Sequence, residues 1–282
     1  PFTGEGAYHG STRPKRRRAV VLTPESTPTT IDRYIRSRRK DIGLFDATFP
    51  NTYNVHAQLR VPTQEEVRQD RVTFCWSTLD EALKIAKLGS PLTKEVLDVM
   101  AQNVTGTKRY VYIDSKVQYF GVGDLPVDSQ LGHVDGVTVV RGDRALKLGY
   151  GILHDLKARC ESEDFPIYQA YQSSNHCMTK FLTAPLTVRV PDIIPSFDVL
   201  DLAIQAANPT WVGQPEASIV GFNGLSIHKA VKATQPGWRL WVRLTETDRE
   251  IVVDPSMLEC YGTVFSTDNL PLCPNPTTQE TT

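Results

Sequence analysis

The segment 238–244 constrains the fold most, because an apolar residue occupies every second position from its first residue to its last. A period of two places every second side chain on the same face of a β-strand, here Trp238, Leu240, Val242 and Leu244. A polar connection over residues 245–248 and a second apolar run over residues 250–254 predict that this strand belongs to a hairpin. Residues 186–190 also alternate and predict another strand.

Other segments follow the helical period of 3.6 residues and are predicted as helices: 79–88, 91–102, 153–162, 167–182 and 197–207. Glycines divide residues 108–153 into short strands and turns. The predicted fold class is therefore mainly β, a jelly-roll-like β-sandwich with several inserted helices, and an α+β fold is the alternative.

The chain has 282 residues, enough to bury roughly 75% of its unfolded surface. Proline and glycine residues recur through the first 52 residues of the chain, and its last residues are rich in proline and threonine. The expected organisation is a partly extended basic arm over residues 1–52, a single globular domain over residues 53–268 and a tail over residues 269–282. No apolar run approaches the 18 residues of a membrane span.

Charge is distributed unevenly along the chain. Residues 1–40 carry ten basic and three acidic side chains, a net charge of +7, whereas the other residues carry 21 basic and 29 acidic side chains, a net charge of −8. A basic arm on an acidic body is typical of proteins that bind nucleic acid through a tail. A nuclear-import signal or a solvated tail is the alternative interpretation.

The basic residues of the arm form the predicted nucleic-acid-binding site. Such clusters neutralise phosphates and release counterions, which gives salt-sensitive binding without base readout. The candidate residues are Arg13, Lys15, Arg16, Arg17, Arg18, Arg33, Arg36, Arg38, Arg39 and Lys40.

Motifs for other chemistry are weak. The glycines do not form a phosphate-binding loop. The five cysteines lack zinc-site spacing and are interpreted as reduced thiols: Cys75, Cys160, Cys177, Cys260 and Cys273. No metal site and no cofactor are expected. The pairs His133 with Asp135 and His154 with Asp155 are unspecific, and the tripeptide 141–143, Arg-Gly-Asp, is interpreted as a β-turn.

The arm has one resemblance to a known class of proteins. A glycine- and tyrosine-containing segment, residues 4–10, precedes the first Arg/Lys cluster. It resembles the N-terminal arms of coat proteins from small icosahedral viruses. That resemblance implies a β-rich shell domain, assembly with copies of itself, other capsid proteins as further candidate partners, and a place in the virion after assembly inside the host cell.

The sequence therefore predicts a non-enzymatic capsid protein that assembles around nucleic acid, with RNA favoured over DNA. The first alternative is a nucleoprotein or movement-type protein that coats single strands and stacks bases on aromatic residues such as Tyr110, Tyr112 and Tyr119. The second is a cysteine hydrolase that uses Cys177 with His154 or His228.

Overall fold

The structure is a computed structural model that describes residues 43–70, 74–77, 80, 83–84, 91–126, 130–141 and 153–249. Its strands are β1 (Leu44–Phe49), β2 (Tyr53–Gln58), β3 (Phe74–Ser77), β4 (Tyr110–Phe120), β5 (Thr138–Val140), β6 (Leu153–Asp155), β7 (Ile167–Gln172), β8 (Thr179–Leu182), β9 (Leu186–Pro191), β10 (Ile193–Ile194), β11 (Trp211–Gly213), β12 (Ser218–Asn223), β13 (His228–Ala230) and β14 (Gly237–Thr247). Its helices are α1 (Gln64–Gln69), α2 (Pro91–Met100), continued by a 3-10 turn at Ala101–Asn103, α3 (Leu156–Glu161) and α4 (Phe197–Ala206).

The largest sheet has six strands in the order β2-β12-β7-β14-β4-β3. All neighbouring strands in it are antiparallel. The long strand β14 lies between β7 and β4, so that Leu244 is opposite Gln169 on one side and Ile113 on the other. Both edges of β14 are therefore hydrogen-bonded, and its side chains face the two sides of the sheet.

Two helices cover one face of this sheet. Leu240, Val242 and Leu244 of β14 are fully buried and pack with residues of α1 and α2. The helix α1 begins at a capping box, in which the hydroxyl of Thr63 accepts a hydrogen bond from the Glu66 amide. Burial of this continuous apolar surface is the main source of stability on this side of the molecule.

A three-stranded sheet in the order β11-β8-β13 packs against the opposite face. Phe181 of β8 contacts Tyr53 of β2 and Phe222 of β12, and both pairs of ring centroids are 5.0 Å apart. Two sheets packed face to face form a β-sandwich. The prediction of a mainly β fold with several helices is confirmed.

A second apolar cluster lies beside the sandwich. It joins the antiparallel pair β1-β9 with α3 and α4, and its fully buried members include Phe49, Leu156 and Leu200. Strands β10, β6 and β5 form a small sheet next to it. None of the helices in the described part of the chain has the length and apolar character needed to cross a membrane.

The structure confirms the helices predicted over residues 91–102 and 197–207, and the strand over residues 186–190. The helix predicted over residues 167–182 is wrong, because this segment forms β7 and β8. Five of the six side chains of β7 are buried, so the strand lacks the polar alternation that marks a half-exposed strand.

Two further predictions need correction. The helix expected over residues 153–162 begins with the short strand β6, and only Leu156–Glu161 is helical. Residues 245–247, expected in a hairpin connection, extend β14, which pairs with β4 and β7. The expected return strand over residues 250–254 and most of the helix expected over residues 79–88 lie outside the described residues.

Candidate metal centre

A cavity of about 180 Å³ lies between the two layers of the sandwich. Its floor is the face of the six-stranded sheet that the helices do not cover, and its walls include Phe181 and Phe222. Because side chains alternate along β14, the neighbours of the buried leucines and valine line the cavity: Arg239, Trp241 and Arg243. One strand thus contributes both to the apolar core and to a charged cavity.

Two histidines and one aspartate meet at this cavity. His133 and His228 form an antiparallel bridge, in which each amide donates to the other carbonyl over 3.1 and 3.0 Å. Asp135 follows His133 by two residues, so an extended chain presents both side chains on the same side, while Val134 is buried on the other. The ligand atoms of the three side chains all lie within 4.8 Å of one another.

Hydrogen bonds fix the orientation of both imidazole rings. The Nδ1 atom of His133 is 2.9 Å from the Leu131 carbonyl oxygen, and the Nδ1 atom of His228 is 3.0 Å from the Ser226 carbonyl oxygen. Since a carbonyl oxygen only accepts, each Nδ1 carries the hydrogen. In the neutral ring, Nε2 is then a lone-pair donor, which is the tautomer that metal ligation requires.

The free ring nitrogens face the same carboxylate oxygen. The Nε2 atoms of His133 and His228 lie 3.9 and 3.8 Å from Oδ1 of Asp135. Burial, together with the neighbouring imidazole of His133, lowers the pKa of His228 to about 4, so this ring is neutral at pH 7. Burial disfavours an ionised Asp135, but the positive charges beside it, that of Arg243 among them, hold its pKa below the usual value. A neutral His228 and an ionised Asp135 are the protonation states that metal ligation requires.

Arg239 brings a positive charge into the same cavity. Its side chain is 3% exposed, and Nη1 lies 3.8 Å from the Cys177 sulfur. Within the described ranges no carboxylate pairs with it, and its Nε atom has no hydrogen-bond partner. Burial lowers its pKa. A buried guanidinium without a counter-charge is costly, and an anionic ligand would compensate it.

The structure does not describe the nucleic-acid-binding residues predicted from the sequence. All ten basic residues of the arm fall outside the described residues, as do Gly142 and Asp143. Among the tyrosines considered for base stacking, Tyr112 is buried, whereas Tyr119 is 57% exposed and packs edge-on against Trp238.

The structure does not favour the cysteine-hydrolase hypothesis. Cys177 is fully buried, and burial raises the pKa of its thiol, which disfavours the nucleophilic thiolate. Its sulfur lies 3.5 Å from the Val231 carbonyl oxygen and near Arg239, and its hydrogen-bond partners in the described part of the chain do not include a histidine.

Sequence reasoning missed the group His133, Asp135 and His228. The available signal was the spacing His-x-Asp, which places two ligands on one side of an extended segment. The third member is far along the chain and is joined to the first only by the β-bridge. That pairing is not visible in the sequence.

Comparisons with known proteins give little similarity. No family model matches the chain, and no curated protein matches it. The solved structure of SnoK, a non-heme α-ketoglutarate-dependent carbocyclase from nogalamycin biosynthesis, aligns with 84% of this chain and 92% of its own, at 12% identity and a TM-score of 0.29. SnoN, a non-heme α-ketoglutarate-dependent epimerase from the same biosynthesis, aligns with 85% and 91%, at 11% identity and a TM-score of 0.28. Scores this low assign neither a fold nor an activity to this chain.

Proposed function

We propose that this protein is a metal-dependent enzyme whose centre is formed by His133, Asp135 and His228. One observation carries the proposal: the Nε2 atoms of His133 and His228 lie 3.9 and 3.8 Å from the same carboxylate oxygen of Asp135. Two ring nitrogens with lone pairs repel a carboxylate at such distances, and a cation bound between them would relieve that repulsion. This proposal differs from the non-enzymatic function expected from the sequence.

The donor set favours a particular kind of metal. Two imidazoles and one carboxylate, with the remaining positions open, are typical of non-heme Fe(II) oxygenases. When bound, such an ion supplies oxygen-dependent redox chemistry. The protein would contribute the orientation of the ligands through the Leu131 and Ser226 carbonyls, and walls of Phe181 and Phe222 that exclude water.

The charge of the cavity indicates the substrate class. Arg239 is buried and lines the same cavity as the ligand cluster. A carboxylate can pair with a guanidinium through two parallel hydrogen bonds, which fixes its position as well as its charge. We therefore propose that the enzyme takes a small carboxylic acid as substrate or co-substrate, held by Arg239 in the cavity that also contains the metal centre.

Anaerobic calorimetric titration with Fe(II) tests the metal centre. The wild-type protein is expected to bind one ion per chain, and His133→Ala, Asp135→Ala and His228→Ala to bind it at least ~10-fold more weakly, because each loses a ligand. His56→Ala is the matched control, since His56 is exposed and outside the cavity. Equal binding by all four variants, or no binding by the wild type, would contradict the proposal.

The charge of the arm favours a second candidate function, the capsid protein predicted from the sequence. The basic residues of the arm are separate in sequence from the three residues of the candidate metal centre. If the arm binds RNA, changing Arg16, Arg17 and Arg18 to Ala should flatten the log–log salt dependence of RNA binding by about 2 units. Fluorescence titration measures the slope, and electron microscopy of the expressed protein tests whether particles form.

A further inference from the structure

We infer that Arg243 is a positioning residue of the metal centre, which holds one oxygen of Asp135 and leaves the other free for the ion. Asp114 anchors Arg243 in this position. The inference rests on the proposed function, because it assigns a role toward the same centre. It adds two residues that are not ligands but determine how the carboxylate ligand is presented.

The two oxygens of Asp135 have different neighbours. Oδ1 lies 3.9 Å from Nε2 of His133 and 3.8 Å from Nε2 of His228, whereas Oδ2 lies 3.3 Å from Nη1 of Arg243. The hydrogen bond from Arg243 restrains rotation of the carboxylate. It therefore favours ligation through Oδ1 alone.

Arg243 is itself held from several directions. Its Nε donates to Oδ1 of Asp114 over 3.1 Å, and Asp114 is 1% exposed. The two residues are directly opposite each other on β14 and β4, so the register of the sheet fixes the pair. The guanidinium carbon lies 5.5 Å from the Tyr168 ring centroid and 5.2 Å from that of Trp241. Few rotamers satisfy all of these contacts.

The charge of Arg243 and its contact with Asp135 predict opposite changes in metal affinity when Arg243 is replaced. A cation close to a metal site repels the ion, so removal of its charge alone would strengthen metal binding. Loss of a group that orients a ligand weakens binding, typically by about 10- to 100-fold. The sign of the change in affinity therefore distinguishes a positioning residue from a nearby charge.

Titration with Co(II), followed by the visible absorption of the bound ion, is the appropriate experiment. Arg243→Gln is expected to raise the Kd by about 10-fold or more and to change the absorption spectrum, because Asp135 is no longer restrained. Arg243→Lys keeps one donor and should recover part of the affinity. Asp114→Asn, which loosens Arg243 without touching Asp135, should alter the spectrum in the same direction.

Arg189→Gln is the matched control, since Arg189 forms an exposed pair with Asp46 on β9 and β1, away from the cavity. Circular dichroism verifies that each variant is folded, and Arg243→Lys and Asp114→Asn test the inference if Arg243→Gln is not. Unchanged or tighter Co(II) binding with an unchanged spectrum would overturn the inference alone. Absence of Co(II) binding by the wild type would overturn the proposed function, and the inference with it.

Discussion

The two faces of β14 differ in composition and in what they do, although their residues alternate along one strand. The face toward α1 and α2 presents Leu240, Val242 and Leu244 to an apolar core. The face toward β8 and β13 presents Arg239, Trp241 and Arg243 to a cavity. Because alternate residues of β14 face opposite sides of the sheet, one set stabilises the core and the other lines the cavity. A substitution in one set should therefore change either the stability of the fold or the binding properties of the cavity, and leave the other unchanged.

The largest effect is expected on the apolar face. Leu244 is fully buried between the sheet and the helices. Leu244→Ala should lower the free energy of unfolding by about 2–5 kcal/mol, because fewer apolar atoms are removed from water on folding and a cavity remains in the core. Urea denaturation measures this change, and metal titration of the folded variant should give the wild-type Kd. A large change in metal affinity would show that the two faces are not independent.

Arg239→Met should have a smaller effect on stability and in the opposite direction. Methionine removes a buried charge that has no carboxylate partner in the described part of the chain and keeps an apolar side chain of similar length. The free energy of unfolding should stay the same or rise by up to about 2 kcal/mol. Binding of small carboxylic acids to the metal-loaded protein, measured by calorimetry, should be lost.

The corresponding control for Arg239→Met is Arg189→Met, because Arg189 is exposed and its pair with Asp46 lies on β9 and β1. Exposed pairs contribute little to stability, typically below about 1 kcal/mol, so this variant should bind acids like the wild type. A marked loss of stability in Arg239→Met would show that the guanidinium serves the fold, and retained acid binding would remove its proposed role.

The sequence predicts the two faces of β14, but it does not predict which residues of other elements contact each face. The alternation in residues 238–244 identifies the strand and its apolar side, whereas the prediction of a helix at β7 is wrong because both faces of that strand are buried. The metal centre depends on pairings between distant residues. His133 meets His228 through a β-bridge, and Arg243 meets Asp114 through the register of β14 with β4. With six histidines and 32 acidic residues in the chain, the pair His133 and Asp135 alone carries little information.

The smallest expected effect concerns His176, which lies beside the charged face. Its side chain is 3% exposed and packs edge-on against Phe120. Burial lowers its pKa, and the positive charge of Arg239 lowers it further. The unfolded chain, in which histidine has a pKa of about 6.5, then binds a proton before the folded protein does. Stability should therefore fall as the pH decreases below that value, until the folded pKa is reached.

Two variants separate the contributions of burial and charge to this pH dependence. His176→Phe removes the titrating group, so its unfolding free energy should depend less steeply on pH below about 6.5 than that of the wild type. Arg239→Met removes the neighbouring charge and should raise the pKa of His176 toward its usual value, which NMR titration of the ring measures. Because burial is the larger cause, the pKa should remain below that value. An unchanged His176 pKa in Arg239→Met would show that the charge on this face of β14 does not reach beyond the cavity.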